Sequence, residues 1–303
     1  MLWFFVAAIG YLLLAVVGIL DKIILSKKVA NPAVYAFYST IFLLPLLLAI
    51  FFGVDNLAGR DWVIGIGSGL AFGFGLWTMY IALQKGESSH INPFIGAVVA
   101  LVVYIISSSF LNENLTGRQL LGLAILIVAT ALFSAEKSRE HSGFHVGFAW
   151  AILSGIFFAV SHTTAKYIYG IYPFFTTLVW TKGSVGLVGI FLLSLPVVRS
   201  ALRSNKKPRS SADKKKNFLV LVLGDKALSI IGTVMVQYAI ALGSVALVNA
   251  LAGLQYAFLF ILVFALTKIA PKFFKEYFTR REIVSETIAV ALMLLGTALV
   301  AWG

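Results

Sequence analysis

The chain has 303 residues, 60% of them hydrophobic, a mean hydropathy of +0.96 and a formal net charge of +12. Ordinary soluble domains are roughly 45–50% apolar, so this composition excludes a soluble globular protein and points to an integral membrane protein. Cysteine is absent, which excludes disulfides and thiolate metal sites.

A helix rises about 1.5 Å per residue, and a hydrocarbon core of about 30 Å therefore needs roughly 20 apolar residues. Ten such segments are predicted, at 3–25, 32–53, 62–84, 90–111, 117–134, 145–167, 173–197, 217–242, 245–267 and 283–302. The first starts at Leu2 with no basic region before it and is longer than a signal-peptide core, so it is read as retained. The chain is expected to be an all-α integral membrane protein.

With ten spans, both termini share one face. The loops on the other face (26–31, 85–89, 135–144, 198–216 and 268–282) hold 18 of the 24 Lys and Arg residues, and the loops of the terminal face hold only Arg60 and Arg118. Charge so placed orients a chain in a bilayer; it does not describe a nucleic-acid surface. The expectation is a multi-pass protein of the plasma (inner) membrane, with basic loops cytoplasmic and both termini outside. The longest basic loop, 198–216, has the composition of a linker that touches anionic headgroups. Pro271 to Arg281 alternates aromatic and basic residues, as an interfacial anchor does.

The halves repeat. Ala82, Gly86 and Asn92 recur as Ala239, Gly243 and Asn249, each shifted by 157 residues, and Thr130 to Leu132 recurs as Thr297 to Leu299. Five spans per half is an odd number, so the second half enters the membrane from the opposite side. The predicted organisation is ten transmembrane helices as two inverted five-helix repeats, 1–134 and 145–303, joined by a linker at 135–144. Inverted repeats suit alternating access, because their pseudo-symmetry supplies two related states, each open to one side.

The stretch F-L-N-E-N-L-T-G-R-Q-L-L-G, Phe110 to Gly122, resembles the signature of EamA-type transporters in the drug/metabolite transporter superfamily, with Glu113, Leu115, Thr116, Gln119 and Gly122 in the matching places. The span count and the two five-span halves fit that family over nearly the whole chain. The second copy departs from it, with Glu276 or Glu282 only loosely in place. The resemblance implies a secondary carrier with a central cavity lined by both halves, and it leaves the cargo open among amino acids, drugs and phosphorylated metabolites.

Charged residues inside spans are the default candidates, since a charge near the bilayer centre is disfavoured by about 2.5–3.5 kcal/mol even on the lenient scale. Asp21, Lys22 and Lys166 lie near span ends, where lysine stems can reach the headgroups. Lys182 lies nine residues past Pro173, about 14 Å along its helix, and Asp225 and Lys226 lie about as far beyond the Lys214 to Lys216 anchor. Adjacent helix positions are about 100° apart, so Asp225 and Lys226 are not expected to make a good mutual pair. Lys182 is then the partner matched in depth to Asp225, either as a structural ion pair or in substrate or proton binding, and Lys226 is left to attract an anion.

Asn92, Asn249 and Gln255 are buried amides that need partners, and His162 could titrate and couple proton movement. Trp77, Tyr80, Trp180, Tyr238 and Tyr256 could hold a hydrophobic cation. Gly65, Gly69 and Gly73 on span three, and Gly183, Gly186 and Gly189 on span seven, read as small faces for close helix approach; Gly224 could permit a kink. No H-E-x-x-H spacing, paired intramembrane carboxylates or selectivity-filter motif is present. The leading function is a secondary transporter, without cofactor, exporting a small anionic or zwitterionic metabolite such as an amino acid or organic acid. The alternatives are an exporter of hydrophobic cations or drugs, an integral-membrane lipid-modifying enzyme, or a scaffold. Expected partners are the small-molecule substrate, membrane lipid, a proton or other coupling ion and a second copy in a homodimer, with no nucleic acid.

Overall fold

The computed structural model describes residues 1–24, 31–85, 88–133, 144–203, 212–269 and 280–302. They are mainly helical, with nine helical segments long and apolar enough to cross a membrane and a shorter apolar helix, Gly117–Leu132. These ten occupy the ten predicted spans. The linker 135–144 apart from Phe144, the middle of the basic loop and the segment from Pro271 to Thr279 lie outside the described residues.

Spans one (Leu2–Ile24), three (Arg60–Lys85), four (Ser88–Phe110), five (Gly117–Leu132), six (Phe144–Tyr169), eight (Ala212–Leu242) and ten (Arg280–Trp302) are each one helix. Three are interrupted. Span two starts on Asn31, whose side chain accepts from Ala33 N with Pro32 in the first turn, runs to Ile41, and continues as a 3-10 helix, Leu44–Phe52. Gly53, at φ +86°, ends it in a left-handed turn that glycine adopts without cost. Span seven breaks at Ser184 between Phe174–Gly183 and Val185–Leu193, and span nine breaks at Leu251 and Ala252 between Val245–Ala250 and Gly253–Ile269. Span eight is one unbroken helix through Gly224. The start of the basic loop is also helical, from Pro196 to Arg203, rather than linker.

Span three packs along span six and span one along span eight; span four packs on six and span one on nine; two pairs with seven, four with nine, five with ten. One exchange, of spans one to five with spans six to ten, maps this set of pairings onto itself. Lipid tails are as apolar as leucine, so close backbone approach and hydrogen bonds hold such helices together. The glycine stripes supply the approach. A Cβ on Gly73 would stand 2.6 Å from Val188, and one on Gly183 would stand 2.5 Å from Leu47. Gly10 meets the Gly232 carbonyl where spans one and eight cross, and Gly122 meets that of Gly296 where five and ten cross. Some buried hydroxyls bond within their own helices, as Thr40 does to Ala36 O at 2.7 Å and Thr181 to Thr177 O at 2.7 Å, and others join helices, as Ser68 does to Ser161 O at 2.8 Å.

The stripe gives a paired test. A Cβ on Gly69 would stand 2.5 Å from Thr181 O and 2.8 Å from Val185 N, whereas one on Gly67 meets nothing within 4 Å. Gly69→Ala is expected to lower the thermal midpoint in detergent by an overpacking cost of about 1–3 kcal/mol, and Gly67→Ala to leave it unchanged or raise it.

Candidate functional site

Between Leu242 and Val245 the chain leaves span eight and enters span nine with almost no loop. Helix ends carry unsatisfied carbonyls and amides, with a negative partial charge at the C-terminus and a positive one at the N-terminus. Each end here receives the opposite full charge. The Lys166 ammonium, near the end of span six, donates to the carbonyls of Ile240 at 2.9 Å, Ala241 at 3.2 Å and Gly243 at 2.6 Å. The Glu113 carboxylate accepts from Ser244 Oγ at 2.8 Å, Val245 N at 3.0 Å and Ala246 N at 3.4 Å. Ser244 Oγ in turn accepts from Leu247 N at 3.2 Å, as an N-cap does. Lys166 was expected to reach the headgroups; instead it is half-buried on this junction, because three carbonyls outbid a lipid headgroup for its donors.

This geometry explains the signature residues. Asn112, at φ +52°, makes the left-handed turn that presents Glu113. Thr116 and Gln119 close a capping box, Gln119 N to Thr116 Oγ1 at 3.3 Å and Thr116 N to Gln119 Oε1 at 2.9 Å, which starts span five. Gly122 is the close contact with Gly296.

One turn inside the junction on each side, His162 and Asn249 meet, Nδ1 to Oδ1 at 2.6 Å. Asn249 Nδ2 donates to Val245 O at 2.8 Å, so its Oδ1 is the acceptor and the histidine carries its proton on Nδ1. Nε2 is thereby left as an acceptor. Phe72 and Phe158 stand against the imidazole at 6.2 and 6.5 Å between ring centres. The Lys182 ammonium lies over the Phe72 ring, 3.8 Å from its centre. Lys182 is 5% exposed, within electrostatic range of His162, and has no carboxylate or hydrogen-bond acceptor among the described residues. Tyr11 fixes span nine to span one through the Val248 carbonyl at 2.9 Å, and Tyr256 fixes it to span four through the Asn92 carbonyl at 2.8 Å.

The expected Lys182–Asp225 pair is not formed. The two depths are counted from opposite faces, and span eight, with 31 residues, is longer than the bilayer. Measured from the terminal face, Lys182 lies eight residues past Phe174 and Asp225 seventeen residues before Leu242, about 12 and 25 Å deep. Asp225, 0% exposed, instead meets Lys226 Nζ at 2.9 Å, although neither carboxylate oxygen receives an aligned hydrogen bond. The long lysine stem lets neighbouring positions touch, while the 100° between them spoils the angle. Lys226 is 58% exposed, so the buried cation without a carboxylate is Lys182 and not Lys226.

The remaining candidates divide. Trp180 Nε1 donates to Asp55 O at 2.9 Å and its ring lies on Trp62. Trp77 packs against Phe74 and Phe191, and Tyr80 shares a hydrogen bond with Ser39 at 2.9 Å. Tyr238 packs on Phe174 at 5.1 Å. Gln255 makes no side-chain hydrogen bond among the described residues, and Asn92 enters through its backbone alone. The side chains of Asp21, Lys22, Glu276 and Glu282 lie outside the described residues. Tyr11 and Phe72 are the participants that the sequence did not single out; the aromatic count masks them.

The EamA-like transporter family matches residues 1–135. This part of the chain is similar to that family. The family is one of membrane transporters in the drug/metabolite transporter superfamily. Among solved structures, one described only as a crystal structure of a protein aligns with 98% of this chain and 94% of its own at a TM-score of 0.65 and 16% identity, a likeness of fold. A comparison with curated proteins gives no significant match.

Two substitutions separate structure from function at this candidate site. Asn249→Ala strands the His162 donor and is expected to cost about 1–3 kcal/mol of stability, read as a lower thermal midpoint. Lys182→Met removes a buried charge that no carboxylate compensates and is expected to leave the midpoint unchanged or raised.

Proposed function

We propose that the chain is a secondary carrier for a small anionic or zwitterionic metabolite, an organic acid or amino acid, held between the two halves at Lys182. The observation that carries this reading is the Lys182 ammonium, 5% exposed and without a carboxylate among the described residues. A charge kept so deep is costly, and a ligand carboxylate or phosphate would neutralise it. His162 Nε2 adds an acceptor for an ammonium, hydroxyl or other donor on the same ligand, and Phe72 borders both groups while Phe158 stands against the imidazole. The exchange of packing partners between spans one to five and six to ten supports repeats at 1–134 and 145–303, related by inversion, and an alternating-access cycle.

The placing of Lys and Arg supports an orientation in the plasma membrane with the basic loops cytoplasmic and both termini outside, and the carrier is read as an exporter. Proton coupling would use His162 or Asp225. The cation-exporter reading is weaker, because Trp77 is spent on packing against Phe191, and Tyr80 and Trp180 on hydrogen bonds to the Ser39 hydroxyl and the Asp55 carbonyl.

Proteoliposomes loaded with radiolabelled carboxylates test this. Lys182→Met is expected to lower flux of the accepted anion at least ~100-fold, the scale of one lost charge-assisted contact of ~3 kcal/mol, while Lys226→Met keeps flux near that of the unaltered chain. Normal flux through Lys182→Met sinks the anion site.

A further inference from the structure

We propose that Glu113 and Lys166 are positioning residues that latch the carrier shut at its terminal face. The latch rests on the alternating-access reading, but not on the nature of the cargo. Glu113 comes from the first half, between spans four and five, and Lys166 from span six of the second. They grip the same short junction from two directions. Lys166 holds the carbonyl end of span eight, at Ile240, Ala241 and Gly243, and Glu113 holds the amide end of span nine, at Val245 and Ala246, together with Ser244.

The grip and the site are mechanically one. Lys166 and His162 are four residues apart and share a face of span six, and Asn249 is four residues beyond Val245 on span nine. With the junction held, the same helix face that binds it through Lys166 meets Asn249 through His162 at 2.6 Å. Withdrawal of Glu113 frees the first turn of span nine, and the His162–Asn249 contact has to part before a ligand can pass outward from Lys182. Opposite charges on opposite helix ends make the closed arrangement favourable without covalent restraint; the Lys166 bonds hold span six to the junction within the second half, and the Glu113 bonds, which cross from the first half, are lost as the halves separate. A cycle of this kind needs two states close in energy, and a handful of charge-assisted bonds at one mouth gives a difference of the right order.

The cysteine-free chain makes the test direct. Val245→Cys, at 0% exposure, reports on the terminal mouth; Ile91→Cys, at 1%, stands at the repeat-related place of Val248, toward the basic face. Each is labelled with a charged thiol reagent in lipid nanodiscs, where both faces are accessible, with and without Glu113→Ala. The expected result is labelling of Val245→Cys at least ~10-fold faster in Glu113→Ala, with Ile91→Cys unchanged or slower. Glu113→Gln, which keeps an acceptor oxygen and loses the charge, is expected to fall between and serves if Glu113→Ala does not fold. An unchanged Val245→Cys rate overturns the latch, and so does a parallel rise at both positions, which would signal general loosening. Labelling needs no substrate. A response to Glu113 with no effect of Lys182→Met on flux therefore fails the anion reading and spares the latch; the reverse fails the latch alone.

Discussion

Hydrocarbon offers no partner to a backbone amide or carbonyl, and each one left bare costs several kcal/mol. The sharp junction between spans eight and nine would expose such groups at two helix ends at once, and the fold answers with Lys166 on the carbonyls and Glu113 on the amides. That requirement fixes where the loop after span four must lie, and so how the first half seats on the second. Asn112 adopts its left-handed turn, and Thr116 starts span five where it does, in service of the same placement.

Once the junction is held, the interior follows. Span six carries both Lys166 and His162, so the grip on the backbone also brings the imidazole to Asn249, and the tautomer this sets leaves Nε2 as an acceptor. Phe72 bridges from that imidazole to Lys182, whose charge stands on an aromatic face in place of a carboxylate. Glycines on spans three and seven bring these helices close enough for the contacts to form.

The spans, their number and the small-residue faces were legible because they follow from local composition and from periodicity. The capping box at Thr116 and Gln119 is legible for the same reason: both partners lie within one turn. The breaks were less so. Gly224 looked like the place for a kink, yet span eight runs through it, while spans seven and nine break at Ser184 and at Leu251 and Ala252, where no proline or pair of glycines marks the sequence. The depth of Asp225 is not legible, because a helix longer than the bilayer gives no local sign of where the lipid ends.

By itself, the sequence determined a ten-span helical membrane protein, its bias of positive charge, the doubled pattern of five spans and the residues whose burial would be costly. Which of those residues meet was decided only by the tertiary structure. The sequence favoured Lys182 with Asp225 and left Lys226 for the anion; the fold puts Asp225 with Lys226, and leaves Lys182 buried beside His162 and Phe72. The reason is geometric. Composition and spacing fix a residue's place along its own helix, whereas the tilt, length and register of one helix against another fix its neighbours, and those come from contacts between residues more than a hundred positions apart, such as Glu113 and Val245.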